Sequence, residues 1–402
     1  MTEDKRYLIV TVSGPDRPGV LAALTEILVR HRVEIMDVQQ ASLNRLLGLY
    51  LLLDLSQVAG ADEDVIKDLL YQAKQLDLNL NFQPQPETEV GAVSQSHLFV
   101  LTHFGGTGFL ADLARVLAAE NVNIQSMATV RHHSTRSTEM IINVRKATSL
   151  TRLKERIMAK SRENNTDVAL QRVQAYRKNK RLIFFDVDST LVDMEIIDEM
   201  ARRAGTYRAV ARITEKAMQG EFDFEESLIQ RVALLKGLSV DVLTEIRDSL
   251  KLSKGAEDLA TALKWLGYKT AIVTGGFDFF ADYLKERLGF DYAYSNALEI
   301  ENRALTGRVT GNIVDAAEKA RLVNQTACDL GILLDQTVVV GDGANDALML
   351  GQAGLAIAYN AKRALDRVAN VSLSKTRLAH IFHLLGITEE DLREATQCKP
   401  TS

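Results

Sequence analysis

The sequence predicts an α/β protein: two small βα modules in tandem, then a larger domain built around a parallel sheet with a helical insertion. Three observations lead there. An ungapped internal repeat spans the first part. Beyond about residue 180, apolar strands alternate with helical segments, as in βαβ units. Several of those strands end in aspartate and glycine, the residues an open parallel sheet gathers at its ligand crevice.

In the repeat, Gly19-Val-Leu-Ala-Ala-Leu-Thr-Glu-Ile-Leu28 aligns with Gly108-Phe-Leu-Ala-Asp-Leu-Ala-Arg-Val-Leu117, and Val33 and Ile35 fall opposite Val122 and Ile124. Each copy begins with a short apolar strand, Tyr7–Val12 or Leu98–Leu101. A glycine-bearing turn, an amphipathic helix and a second strand follow. Phe82-Gln-Pro-Gln-Pro-Glu-Thr-Glu89, with two prolines and no periodicity, reads as the linker. A second boundary falls near Ala175-Tyr-Arg-Lys-Asn-Lys-Arg181. The expected domains are therefore 1–84, 96–174 and 180–402. In the last, strands are expected at Leu182–Asp186, Thr270–Thr274, Gln336–Gly341 and Gly354–Ala358, with a helical insertion over about 196–252.

Composition narrows the function classes. The 402 residues are 46% hydrophobic and 25% charged, ordinary for a soluble globular protein. A net charge of -5 without like-charge blocks argues against a nucleic-acid binder. Cys328 and Cys398 are the two cysteines, too few for a disulfide framework, so a reducing cytoplasm is expected. The start, Met1-Thr-Glu-Asp-Lys-Arg6, does not read as a signal peptide. The apolar run Leu46–Leu53 is far shorter than the roughly 20 residues of a spanning helix, so no membrane partner is expected.

The chemistry sits at three strand ends: Asp186-Val-Asp-Ser-Thr190, Thr274-Gly-Gly276 and Gly341-Asp-Gly-Ala-Asn-Asp346. Carboxylates crowded together need a cation, and oxygen ligands suit Mg²⁺. An aspartate beside a metal can attack phosphorus. Asp186 is the expected nucleophile, and Asp188 the acid that protonates the leaving alkoxide and then the base for water. Thr274 and Gly275 would bind a phosphoryl oxygen, and Lys319 would offset its charge. Asp342 would hold the metal with Asp186 and Asp188, and Asp346 and Asn345 would support the site.

These four motifs, in this order, resemble those of the haloacid dehalogenase superfamily, and within it the phosphoserine phosphatases. The resemblance implies a Rossmann-like core with an inserted cap. It also implies Mg²⁺-dependent hydrolysis of O-phospho-L-serine, the last step of serine biosynthesis, through an aspartyl phosphate. Glu195 matches the family's substrate-binding glutamate, and Met218, Phe224 and Arg231 match its cap residues. Glu195 could pair with the substrate ammonium, Arg231 could fork onto its carboxylate, and Met218 and Phe224 could exclude water. Thr274 departs from the pattern, since the family usually has serine there.

The tandem modules resemble ACT domains, ferredoxin-like βαββαβ modules that sense amino acids. Gly14-Pro-Asp-Arg-Pro-Gly19 closely matches their ligand loop, while Phe104-Gly-Gly-Thr-Gly-Phe109 keeps the glycines only. The resemblance implies effector sites at Asp16, Gly19 and Gly108, serine as the effector, and a homodimer through these modules.

Blander readings compete. Asp-x-Asp at a strand end is by itself most often a turn or cap. An EF-hand fails, because Leu191 and Ile197 stand where glycine and glutamate are required. A receiver-domain aspartate would follow a later strand. Gly106-Thr-Gly-Phe-Leu-Ala111 matches a dinucleotide fingerprint, but no acidic residue lies in Val122–His132. Taken singly, Lys319, Glu195 and Arg231 could be solvated charges, and Met218 and Phe224 core residues. His132 and His133 lack partners at metal spacing and are assigned nothing. Two other functions remain open at this point: a phosphatase or phosphotransferase for another small phosphomonoester, and a non-catalytic amino-acid sensor.

Overall fold

The computed structural model describes residues 6–58, 61–86, 97–132, 135–177, 179–361, 363–373, 378, 380–387, 391 and 394. Residues 87–89 of the expected linker, His133 and Cys398 lie outside them. The chain forms two compact units, Met1–Val93 and Ser94–Ser402.

The first unit runs β1 (Tyr7–Pro15), α1 (Val20–Arg30), β2 (Glu34–Leu43), β3 (Leu46–Asp54), α2 (Asp62–Gln75) and β4 (Asn79–Gln85), the expected βαββαβ order. Its antiparallel sheet is ordered β2-β3-β1-β4. The apolar run at residue 46 is a strand whose Leu47, Leu49, Leu51 and Leu53 all face the core, the period-two signature of a half-buried strand. Helix α1 lays Val20, Leu24, Ile27 and Leu28 against them. Gly19 opens that helix at φ 92, a backbone state that glycine adopts without strain.

The linker starts later than expected. Phe82–Gln85 complete β4, with Pro84 opposite Leu8. β4 is an edge strand, which needs ladder hydrogen bonds on one side only and so tolerates proline.

The second unit opens with another βαββαβ module: β5 (Leu98–His103), α3 (Thr107–Ala119), β6 (Asn123–His132), β7 (Thr135–Asn143), α4 (Leu150–Glu163) and β8 (Val168–Arg172). The α/β core follows with β9 (Leu182–Phe185). The insertion comes next, comprising α5 (Ile196–Arg203), α6 (Tyr207–Met218), α7 (Phe224–Ala233) and α8 (Val240–Ser249). The chain returns through α9 (Ala256–Trp265), β10 (Lys269–Phe277), α10 (Asp278–Leu288), β11 (Tyr292–Glu301), β12 (Ala304–Thr310) and α11 (Ala316–Asp329). It finishes with β13 (Thr337–Gly341), α12 (Ala347–Leu350), β14 (Leu355–Tyr359), β15 (Val371–Leu373) and α13 (His380–Leu385). Strands β9, β13 and β14 are wholly buried, as parallel strands covered on both faces must be.

Strands β10, β9 and β13 are parallel neighbours, and Phe185 is in register with both Ile272 and Val340. Their carboxyl ends therefore lie side by side. The insertion is helical, as expected, and is tied at its root: Asp193 N–H donates to the Lys251 carbonyl (3.1 Å) and Ser253 N–H to the Leu191 carbonyl (2.8 Å).

The sheet of the module over 96–174 runs on into that of the core. β8 pairs antiparallel with β15, Ala169 opposite Val371 and Val168 opposite Ser372, giving a single 11-stranded sheet. Each strand would otherwise be an edge with open backbone groups, and pairing satisfies both. No helix among the described residues is long and apolar enough to cross a membrane.

Candidate active site

Asp186 follows directly after β9, its own N–H donating to the Val340 carbonyl (3.0 Å), which ties it to β13. Its Oδ1 accepts a hydrogen bond from Lys319 Nζ at 2.9 Å. The same ammonium donates to Asp346 Oδ1 at 2.8 Å. All three side chains are at least 95% buried. Lys319 reaches them from the first turn of α11, which Asp315 caps by accepting from Glu318 N–H (2.7 Å). Burial alone would lower the lysine pKa, but the two carboxylates outweigh it and hold the ammonium charged.

Asp346 is fully committed within the protein. Its Oδ2 accepts from the backbone N–H of Asp342 (3.1 Å) and Gly343 (3.2 Å), and its Oδ1 accepts from Asn345 Nδ2 (3.3 Å) as well as from Lys319. A side chain at Gly341 would overlap the Asp346 carboxylate, which explains the glycine. Asp342 is thereby presented with its own carboxylate toward Asp186, and oxygens of Asp186, Asp342 and Asp346 lie within 4.8 Å of one another. Burial first, then the charges of Asp186 and Asp346, push Asp342 up to about 7. Burial and Asp346 push Asp186 up to about 6, against the opposing pull of Lys319.

Asp188 lies beside this group of three and faces another way. Its Oδ1 accepts from Ile196 N–H (2.8 Å) at the start of the insertion. A Cβ on Gly276 would lie 3.3 Å from its Oδ2, so that oxygen faces the loop after β10. Burial, followed by the nearby Glu195 charge, raises its pKa well above the usual carboxylate range. Between the two aspartates and Glu195 sits Ser189, at φ 55, whose hydroxyl donates to Glu195 Oε1 (3.1 Å).

The structure brings most of the remaining candidates to the same place. Thr274 is buried, and its Oγ1 accepts from Gly276 N–H (2.9 Å). A Cβ on Gly275 would come within 2.9 Å of the Phe224 ring, so α7 covers this glycine. Arg231, two turns further along α7, has its Nε on the Ser227 carbonyl (3.2 Å), and its charge is felt by Glu195, Asp198 and Asp188. Met218, at the end of α6, stands apart: it is 75% exposed. In the first module Asp16 accepts from the Ser42 hydroxyl (2.5 Å). Apart from chain neighbours and its own helix backbone, no described atom lies within 4 Å of where a Cβ on Gly19 or Gly108 would be.

Asn296, which carries no motif, is a further part of the site. It is completely buried, donates to the Gly275 carbonyl (2.8 Å) and accepts from Val314 N–H (2.8 Å). It thus ties the loop after β10 to the segment that delivers Lys319. A lone asparagine in the strand Tyr-Ala-Tyr-Ser-Asn-Ala-Leu was the available signal.

Comparison with known proteins now has a geometry to rest on. A profile of haloacid dehalogenase-like hydrolases matches residues 180–354, and an ACT-domain profile matches residues 6–83. Phosphoserine phosphatase SerB2 of Mycobacterium tuberculosis is 38% identical over 399 residues, covering 97% of this chain and 96% of that protein. The chain belongs to the phosphoserine phosphatase family.

It is therefore an enzyme, a phosphatase with an N-terminal ACT domain. The phosphoserine phosphatase of Archaeoglobus fulgidus is 49% identical over 238 residues, covering 59% of this chain and 69% of that protein. Among solved structures, an unliganded probable phosphoserine phosphatase from Vibrio cholerae superimposes with a TM-score of 0.56 at 31% identity, covering 79% of this chain and 94% of that one. A haloacid dehalogenase family hydrolase from Salmonella enterica serovar Typhi gives 0.63 at 27% identity, covering 71% and 98%.

Proposed function

We propose that this phosphatase hydrolyses O-phospho-L-serine to L-serine and phosphate through a phosphorylated Asp186, with Mg²⁺ as cofactor. The observation that carries the reading is the buried Lys319 held between Asp186 and Asp346 at the mouth of the sheet. It keeps one carboxylate ionised and aimed where a phosphoryl group can approach.

The donor set fits a hard divalent cation. One ammonium faces three carboxylates, leaving negative charge in excess. Asp186 and Asp342 would hold the ion with help from Asp188, while Asp346 keeps the Asp342 loop in place. Bound there, Mg²⁺ would supply positive charge to the nucleophile and to the phosphoryl oxygens.

The residues then divide the work. Asp186 attacks phosphorus as the bond from phosphorus to the serine oxygen breaks. Asp188, whose pKa burial and the Glu195 charge raise, gives its proton to the departing alkoxide. Water next attacks the acyl phosphate, Asp188 takes its proton, and phosphate leaves with Asp186 restored. Lys319 and the Thr274–Gly275 loop neutralise and orient the phosphoryl oxygens. Glu195 pairs with the substrate ammonium and Arg231 with its carboxylate, while Phe224 keeps water out and Met218 joins it when the cap closes.

The second βαββαβ module is read as a second ACT domain. Serine would bind at Asp16 and Gly19, and at Gly108, where backbone lies open to a ligand. The modules would pair with those of another copy in a cytoplasmic homodimer.

Phosphate release from O-phospho-L-serine that requires Mg²⁺, and that Asp186→Asn abolishes, is the expected result. Wild-type turnover by Asp186→Asn would overturn the assignment.

A further inference from the structure

The joint between the second module and the core runs close to the root of the cap. Asp167, 3% exposed at the start of β8, contacts His380 Nδ1 through its Oδ2 at 2.5 Å. The ring of Phe104, from the loop after β5, stacks on the His380 imidazole at 4.6 Å and 1°. Phe104 N–H also donates to the Asp167 carbonyl (3.2 Å), so two parts of the module grip one histidine of α13. Leu170 N–H donates to the Asn370 carbonyl (2.7 Å), and Arg162 pairs with Asp366.

From His380 the contacts continue to the cap. Leu378, just before α13, donates its N–H to the Lys254 carbonyl (3.3 Å). Leu378, Ile381 and Phe382 are buried in the same cluster as Val192 and Leu250, the apolar residues of the two chains that enter and leave the cap. Tyr359, at the end of β14, is buried in the same cluster. Asp193 and Ser253 are the residues whose backbone N–H groups close the cap root.

We propose that His380 is a positioning residue: gripped by Asp167 and Phe104, it holds α13 against the cap root, so the second module sets how readily the cap closes over the active site. The proposal rests on the reading of that site as a phosphoserine phosphatase centre. A packed joint of this kind transmits a shift as a change between discrete arrangements, and residues at cap roots alter kcat and KM together when disturbed.

The test compares full-length wild type with His380→Ala, His380→Asn and Phe104→Leu by hydrogen exchange and by steady-state kinetics with O-phospho-L-serine. In His380→Ala and Phe104→Leu, peptides covering 191–193 and 251–254 should exchange at least about tenfold faster, while those covering β9 and β13 stay at wild-type rates. KM should rise by about threefold to tenfold with kcat changed alongside it. Asparagine can place an N–H donor near the position of Nδ1, so His380→Asn should recover most of the loss. Phe104→Leu removes the ring stacked on His380 and keeps an apolar side chain there, which covers the case in which His380→Ala fails to fold. Unchanged exchange at the cap root with unchanged kinetics would overturn the proposal, as would faster exchange spread evenly over β8, β9 and β13. If wild type releases no phosphate from phosphoserine, the functional reading fails instead, and the exchange data still decide whether His380 holds the cap root.

Discussion

Lys319→Met is the substitution that puts most weight on the catalytic reading. Methionine keeps much of the aliphatic stem and removes the charge. At an effective dielectric of about 20, unit charges about 2.9 Å apart attract by about 6 kcal/mol. Lys319 makes two such contacts, at 2.9 and 2.8 Å. Desolvation of the ammonium takes back several kcal/mol, so stranding the buried carboxylates should cost a net ~3–5 kcal/mol. For a domain of this size that corresponds to a melting temperature lower by about 6–20 °C. Because the stranded carboxylates can take up protons, the deficit should be smaller at about pH 5 than at about pH 8. Turnover should fall by at least about 10²–10³, the usual loss when a preorganised charge is removed from a reacting centre. Calorimetry at the two pH values and phosphate release at saturating phosphoserine read these quantities. A variant that melts like wild type and keeps more than about a tenth of its turnover would refute the assignment of Lys319 as the charge that organises Asp186.

Arg231→Ala should raise KM for phosphoserine by about tenfold or more while leaving KM for a phosphomonoester without a carboxylate nearly unchanged, measured by phosphate release from both. Gly275→Ala should lower kcat, because its methyl group would strike the Phe224 ring, and Gly275→Ala combined with Phe224→Leu should recover part of the loss. In the absence of Mg²⁺ the folded protein should lose stability as pH rises. Asp186 near 6 and Asp342 near 7 bind protons more tightly than the usual carboxylate value of 3.8, so their stabilising protonation is complete below about pH 4 and is lost through about pH 6–7. Melting curves with and without Mg²⁺ should therefore diverge most above pH 7, and parallel curves would count against the metal site. Asn296→Ala should cut kcat by about tenfold with little change in KM, since it frees the Gly275 carbonyl and the lead-in to Lys319 without touching the substrate groups.

The parts of the fold that sequence made legible are those with a strong period or an internal copy. The repeat exposed both βαββαβ modules, and the wholly apolar runs at Leu182 and Thr337 exposed the central strands. The hairpins β2–β3 and β11–β12 were harder to see. Both turn at Asn-Arg, Asn44-Arg45 and Asn302-Arg303, with positive φ at each residue, where a hairpin turn more often advertises itself with glycine. The joint between β8 and β15 was invisible because strand pairing across 200 residues leaves no local pattern. At the site, Asp186, Asp342 and Asp346 were legible because aspartate after a buried strand is costly without a purpose. Lys319 needed its place between motifs, since helical spacing alone cannot distinguish a buried lysine from a solvated one. The close approach of Phe224 to Gly275, the exposure of Met218 and the bracing by Asn296 depend on how the cap and β11 pack, and only three dimensions supply that.

Labelling the enzyme in mid-turnover addresses the nucleophile itself. Enzyme mixed with ³²P-labelled phosphoserine and Mg²⁺, then quenched in acid within one turnover, should yield a single labelled peptide, with the phosphoryl group on Asp186 as an acid-stable, alkali-labile acyl phosphate. Label on any other residue, or none while phosphate is still released in a burst, would contradict the account.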